Sequence, residues 1–213
     1  QAVAEMALGS ALCLARGLVE GDSRFRTGRE VYGAKSNTES FLLKNKQVGI
    51  LGLGNIGRAL IRLLEPFECR IRVYDPWLPD NYVKDLGLIP DSLGQVLKLS
   101  RVIFVLAGAT TENEAMLGQR ELKLIGEDAL IILVSRASVV DFEALTDLLG
   151  KDRFRAAIDV FPQEPFPKNH SLRRLNNVLL SAHRAGSLQE TYKLMGETIV
   201  DDTGSINRLY LKP

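Results

Sequence analysis

Short apolar runs alternate along this chain with amphipathic stretches, and the alternation sets the predicted elements. Val48 to Leu51, Arg70 to Tyr74, Val102 to Ala107, Ala129 to Val134, Phe154 to Val160 and Val178 to Ser181 read as strands, with Leu86 to Ile89 as a further short one. The run Val102-Ile103-Phe104-Val105-Leu106-Ala107 is apolar throughout, as expected of a parallel strand buried on both faces. Between the strands the period changes. Ile56, Ala59, Leu60, Leu63 and Leu64 fall on one helical face, Asp91-Ser92 caps a helix through Leu99, and helices are predicted over Glu112 to Ile125 and Phe142 to Leu149. Residues 1–20 carry a helical stripe of Met6, Ala7, Ala11, Leu14, Ala15 and Leu18, whose cover is the chain's own sheet, another domain or a second subunit. Residues 21–45 are polar and glycine-bearing, a surface excursion in which Asn45 suits a left-handed turn. Alternating strands and helices predict an α/β fold, a Rossmann-type doubly wound parallel sheet with ligands at the carboxyl ends of its strands.

One connection carries more than topology. After the first strand come Gly52, Gly54 and Gly57 at G-x-G-x-x-G spacing, with Asn55 and Ile56 opening the helix. In such a unit the first glycine makes a tight turn, the second lets backbone approach a pyrophosphate, and the third lets helix and strand pack closely. The helix N-terminus then offers unpaired N–H groups to the phosphates. Glycine turns alone are common, and the next strand strengthens the reading. It ends in Asp75, 23 positions after Gly52, where a dinucleotide site places the carboxylate for the adenosine ribose hydroxyls. A carboxylate there repels a 2'-phosphate, so NAD is expected rather than NADP.

Composition narrows the alternatives. The 213 residues suffice for one large α/β domain, and 27 basic against 26 acidic residues give a net charge of +1. With no basic stripe, neither nucleic acid nor an anionic membrane is expected as partner. No apolar run approaches the roughly 20 residues of a membrane span. No segment resembles a signal peptide, so a cytoplasmic protein is expected. Cys13 and Cys69 are read as free thiols, and with His170 and His183 the only histidines no metal site is expected.

Three polar residues stand at or just beyond strand ends: Arg136, Glu164 and His183. Singly, each has an ordinary structural explanation: a solvated arginine, a surface carboxylate, a histidine satisfied by its neighbours. Together they are the parts needed to reduce a 2-oxo acid beside a nicotinamide. Arginine anchors and polarises the substrate, histidine moves a proton near neutral pH, and a carboxylate favours the imidazolium. His170 lacks such a setting and is expected to be exposed.

The segments Val48 to Gly57 (VGILGLGNIG), Val73 to Pro76, Ser135 to Asp141 (SRASVVD), Ala157 to Pro165 (AIDVFPQEP) and Ser181 to Ser187 (SAHRAGS) resemble the D-isomer-specific 2-hydroxyacid dehydrogenase family, in the family's order. The resemblance implies that Arg136 binds substrate, that His183 is the acid–base histidine and that Glu164 is its carboxylate partner. It also implies that Asp159 and the backbone near Val134 meet the nicotinamide carboxamide, and that the Ala107 to Thr110 loop lines the cofactor. Ala137, Gly108 and Arg184 depart from the family's usual residues, which bears on substrate more than on chemistry. By the same resemblance, residues 1–186 form the cofactor domain, 187–213 a helix returning to a substrate domain outside this sequence, and 1–20 a homodimer contact. A chain of that extent is expected to bind NAD without turning over a D-2-hydroxy or 2-oxo acid by itself. The alternative is an NAD-responsive corepressor-like binding protein of the same fold.

Overall fold

The computed structural model describes residues 1–190; residues 191–213, which hold most of the expected C-terminal helix, lie outside the described residues. Seven strands form one parallel sheet: β1 (Gln47–Leu51), β2 (Arg70–Tyr74), β3 (Ile89–Pro90), β4 (Val102–Val105), β5 (Leu130–Leu133), β6 (Arg155–Ile158) and β7 (Val178–Leu180). Their order across the sheet is β3-β2-β1-β4-β5-β6-β7. The chain therefore winds outward from β1 to one edge, returns to the middle, and winds to the other. The reversal lies between β1 and β4, which pair directly from Val48 beside Val102 to Leu51 beside Val105. Ligand crevices form at such a reversal, because the loops after its two strands diverge to opposite faces.

Side-chain alternation divides the core between the two faces. Ile103, Val105, Ile131 and Leu133 point to the face covered by α5 (Leu93–Leu99), α6 (Gln119–Leu122) and α7 (Phe142–Gly150). Val102, Phe104, Leu130 and Ile132 point to the face covered by α1 (Ala2–Ala15) and α3 (Asn55–Leu64). On α1 the buried positions are small, Ala4, Ala7, Ser10, Ala11 and Ala15, so this helix lies close against α3, β5 and β6. Gly49 is also forced: a Cβ there would sit 2.7 Å from both Val96 and Ser100 of the covering segment.

The predicted strands and the helix after the glycine turn agree with these elements, and four expectations change. The opening helix stops at Arg16, Gly17 takes φ +60, and a second helix, α2, runs from Leu18 to Arg26. Residues 21–26 are therefore helical within the expected surface excursion, all of them exposed, and Leu18 leaves the stripe for solvent. The third strand is displaced to Ile89–Pro90, since α4 (Asp80–Asp85) and Gly87 at φ +73 occupy the residues before it. The helix expected over Glu112 to Ile125 shrinks to the four residues of α6. His170 is half-buried: its ring lies 4.6 Å from that of Phe166 and its Nδ1 accepts the Leu172 amide at 3.2 Å. Asn45 does take the left-handed turn, at φ +62.

Candidate active site

The loops after β1 and β4 meet through backbone. Gly52 has φ +94, and a Cβ on it would lie 2.7 Å from the N and Cα of Ala107, so no other residue fits without moving the β4 loop. A Cβ on Gly57 would lie 2.8 Å from Gly52 O, which keeps α3 tight against the turn. Gly54 has nothing within 4 Å of the same position. The space in front of α3 is thus open, and the first bond of the helix is Arg58 N–H to Gly54 O at 3.0 Å. The amides of Asn55, Ile56 and Gly57 precede it and have no helical acceptor. Open space before unpaired amides fits a pyrophosphate.

Asp75 stands at the end of β2 beside this turn. Its Oδ2 accepts the Leu53 amide at 2.8 Å and its Oδ1 accepts the Trp77 amide at 3.1 Å. The carboxylate therefore fixes the glycine turn as well as presenting charge, with a lone pair on each oxygen left for a ribose hydroxyl.

Towards β5 and β6 the crevice widens into a cleft of about 500 Å³, lined by Val3, Ile56, Leu106, Gly108, Ala109, Val134, Ser135, Arg136, Asp159, His183 and Ala185 to Ser187. It brings Ile56, Val134, Arg136, Asp159 and His183 onto one surface; Ala107 and Thr110 belong to the loop beside it. Arg136 is exposed, and its guanidinium donates to the carbonyl of Ser135 at 2.7 Å. His183 Nδ1 lies 2.8 Å from Glu164 Oε2, and Glu164 Oε1 accepts the Phe161 amide at 3.1 Å. The Glu164 carboxyl is held below the usual carboxylate range, chiefly by the hydrogen bond with His183; partial burial opposes this, and the Phe161 amide and the charges of His183 and Arg136 add to it. Because an ionised carboxylate only accepts, Nδ1 is the donor, and Nε2 is the nitrogen available to a substrate.

The loop that carries Glu164 rests on an aromatic wall. The rings of Phe161 and Phe166 stack at 4.4 Å, Phe142 meets both edge-on, and Arg173 donates to the carbonyls of Phe166 and Pro167 at 2.8 Å. Glu164 is thus the tip of a braced loop.

Asp159 is 1% exposed and organises the histidine loop. Its Oδ1 accepts the Ser181 hydroxyl and the Arg184 amide, the latter at 3.0 Å; its Oδ2 accepts the Ala185 amide at 2.9 Å. A contact with a carboxamide was the only part expected of Asp159, and its bonding to the 181–185 loop leaves no trace in spacing or composition. Val3 and Ser135 were likewise not anticipated in the cleft. Val3 arrives by packing of α1, and Ser135 stood in the arginine motif without an assigned part.

Residues 8–185 match the NAD binding domain of the D-isomer specific 2-hydroxyacid dehydrogenases. A glyoxylate reductase of Thermofilum pendens is 33% identical over 204 residues, covering 92% of this chain and 59% of the relative. A D-3-phosphoglycerate dehydrogenase of Methanocaldococcus jannaschii is 27% identical over 208 residues, covering 97% and 39%. Among solved structures, a phosphoglycerate oxidoreductase from Rhizobium etli superposes with a TM-score of 0.90 at 41% identity, covering all of this chain and 68% of that one. The chain thus spans between about two fifths and three fifths of the length of these two curated relatives.

Proposed function

Because this chain belongs to the D-isomer specific 2-hydroxyacid dehydrogenase family and its domain is the one that binds NAD, we propose that the protein carrying it reduces a 2-oxo acid, or oxidises a D-2-hydroxy acid, with His183 as general acid and base. The observation that carries the reading is the 2.8 Å contact of His183 with Glu164 on the wall of a cleft that also holds Arg136, at the sheet's reversal. Bound NADH supplies the hydride that the substrate carbon receives, or NAD accepts it in the reverse direction. Gly52, Gly54, Asn55, Ile56 and Gly57 bind the pyrophosphate, Asp75 takes the ribose hydroxyls, and Ala107, Thr110, Val134 and Asp159 surround the nicotinamide end. Arg136 orients the substrate carboxylate through paired N–H donors and draws electron density from the neighbouring carbonyl. His183 delivers its proton from Nε2 to the forming alkoxide while Glu164 stabilises the imidazolium through Nδ1. In the reverse direction Nε2 takes the hydroxyl proton.

Glyoxylate, pyruvate and hydroxypyruvate, offered with NADH, test the reaction; absence of turnover with every 2-oxo acid, in a preparation that binds NADH, would remove it. The corepressor-like alternative is the weaker reading, because a scaffold has no need of an imidazole, a carboxylate and a guanidinium in this arrangement. A symmetric homodimer and a cytoplasmic location are part of the proposal. Leu18, Val19 and Phe25 are each more than half exposed on α2, whose residues are all unburied, and a second copy covering them is the economical explanation. Sedimentation velocity reads the dimer directly. Among the described residues no single helix is long and apolar enough to cross a membrane.

A further inference from the structure

The segment where a helix was expected is held open by one side chain. Asn113 is 4% exposed; its Oδ1 accepts the Thr110 amide at 2.8 Å and its Nδ2 donates to the Gly108 carbonyl at 2.5 Å. One partner can only donate and the other only accept, so the orientation of the amide group is fixed. These bonds span Gly108-Ala109-Thr110, of which Gly108 and Ala109 line the same cleft as Arg136 and His183. Small residues bring no packing of their own to hold a wall in place, and the loop's own backbone bond, Asn113 N–H to Thr110 O, is long at 3.4 Å. Beyond Asn113 the chain is tied again. Ala115 N–H donates to Ser138 O at 2.8 Å, Leu117 N–H to Val139 O at 3.0 Å, and Asp141 N–H returns to Leu117 O at 3.0 Å. Ser138 and Val139 belong to the turn that follows Arg136. Asn113 therefore lies between two parts of the cleft: the small-residue wall on its N-terminal side and the arginine turn on its C-terminal side.

We infer that Asn113 is a positioning residue that shapes the nicotinamide side of the cofactor cleft, fixing the Gly108–Thr110 wall in register with the Arg136 turn. The inference rests on the proposed cofactor site but extends it to a residue that touches neither cofactor nor substrate. Its consequence is selective. Gly54 and Asp75 lie outside the stretch that Asn113 braces, so the adenosine diphosphate half keeps its contacts when Asn113 is changed, and only the half reaching towards Arg136 and His183 loses a formed wall.

The test compares NADH and ADP binding to the wild-type chain, Asn113→Ala and Asn113→Asp. The second variant keeps the shape and the acceptor for Thr110 but sets a carboxylate oxygen against the Gly108 carbonyl. Both variants are expected to weaken NADH binding about tenfold or more, as loss of buried hydrogen bonds does, with ADP affinity within about twofold and the thermal midpoint of each recorded alongside. Unchanged NADH affinity in both variants overturns the inference. Parallel weakening of NADH and ADP with a lowered midpoint also overturns it, since Asn113 would then serve the fold alone. A wild-type chain that binds ADP but not NADH, or neither, would instead sink the cofactor site on which the inference depends, and is distinguished by needing no variant.

Discussion

The amide of His183 donates to the carbonyl of Asp159 at 2.7 Å, and the histidine takes φ +50, in the left-handed region that residues with a Cβ seldom adopt. The carboxylate of the same aspartate accepts from Ser181, Arg184 and Ala185, on both sides of that histidine. The loop is over-determined by one buried group. Asp159→Asn must turn an NH2 towards at least one donor, so a loss of about 1.5–3 kcal/mol in unfolding free energy is expected, the usual range for a hydrogen bond to a charged group. Urea denaturation measures it. An unchanged midpoint and slope would show that the loop is held by something other than Asp159.

Glu164 gives a pH prediction with a definite sign. Its carboxyl titrates below the usual range, chiefly because the ring of His183 bonds to its charged form. A folded-state value below the unfolded one means that the stabilisation is complete above the ordinary carboxylate range and is lost as pH falls through the lowered value. On acidification Glu164 should therefore stay ionised below the usual carboxylate range. Carbon-13 NMR of labelled glutamate follows this, and His183→Ala should return Glu164 towards the ordinary range. Titration of Glu164 within the usual carboxylate range in the wild-type chain would mean that the contact is not kept in solution.

Asp75 serves two ends, which shapes what happens when it is replaced. Asp75→Ala removes the charge that repels a 2'-phosphate, and it also removes the acceptor of the Leu53 amide in the glycine turn. The NADH:NADPH preference should narrow, but NADPH should bind more weakly than NADH binds to the wild type. Asp75→Asn, which retains an acceptor for Leu53, should keep more of the total affinity, with a difference of about tenfold between the variants. Fluorescence titration of both reduced cofactors decides it. Tight NADPH binding by Asp75→Ala would show that the turn does not need the carboxylate.

The parts of this molecule that could be read from sequence are those whose physics is local. A buried parallel strand needs only a run such as Val102 to Val105, a pyrophosphate turn needs glycines at fixed spacing, and Asp141 ahead of Phe142 caps a helix from one position away, accepting the Ala144 amide at 3.0 Å. Polar residues at strand ends were visible because the topology says where chemistry sits. What escaped depends on partners distant in the chain or on side chains that compete with backbone. Asn113 bonds the amide and carbonyl of its own loop, a local alternative to the helix expected from Glu112 onward. The bend at Gly17 is set by a left-handed φ, which glycine permits without requiring. The bonds made by Asp159 join residues more than 20 positions apart, for which a sequence gives no spacing to search.

His183 is the residue on which the proposed reaction turns. Its ring lies on the cleft wall with Nδ1 engaged by Glu164, which leaves Nε2 for the proposed proton exchange with the substrate oxygen. None of the parts proposed for the pyrophosphate and the ribose depends on it: the open space at Gly54, the unpaired amides of α3 and the Asp75 carboxylate all belong to the other side of the crevice. Replacing it with alanine should therefore separate chemistry from binding. In the protein carrying this chain, His183→Ala should lower turnover of the preferred 2-oxo acid by about two to four powers of ten, the size expected when an acid–base group is lost. NADH affinity should stay within about threefold of the wild type, well short of the tenfold that a lost contact to a charged group brings. Steady-state turnover and NADH fluorescence in the same preparations supply both numbers. A variant with near-wild-type turnover would take His183 out of the mechanism. One with intact folding but strongly weakened NADH binding would instead make it part of the cofactor's grip.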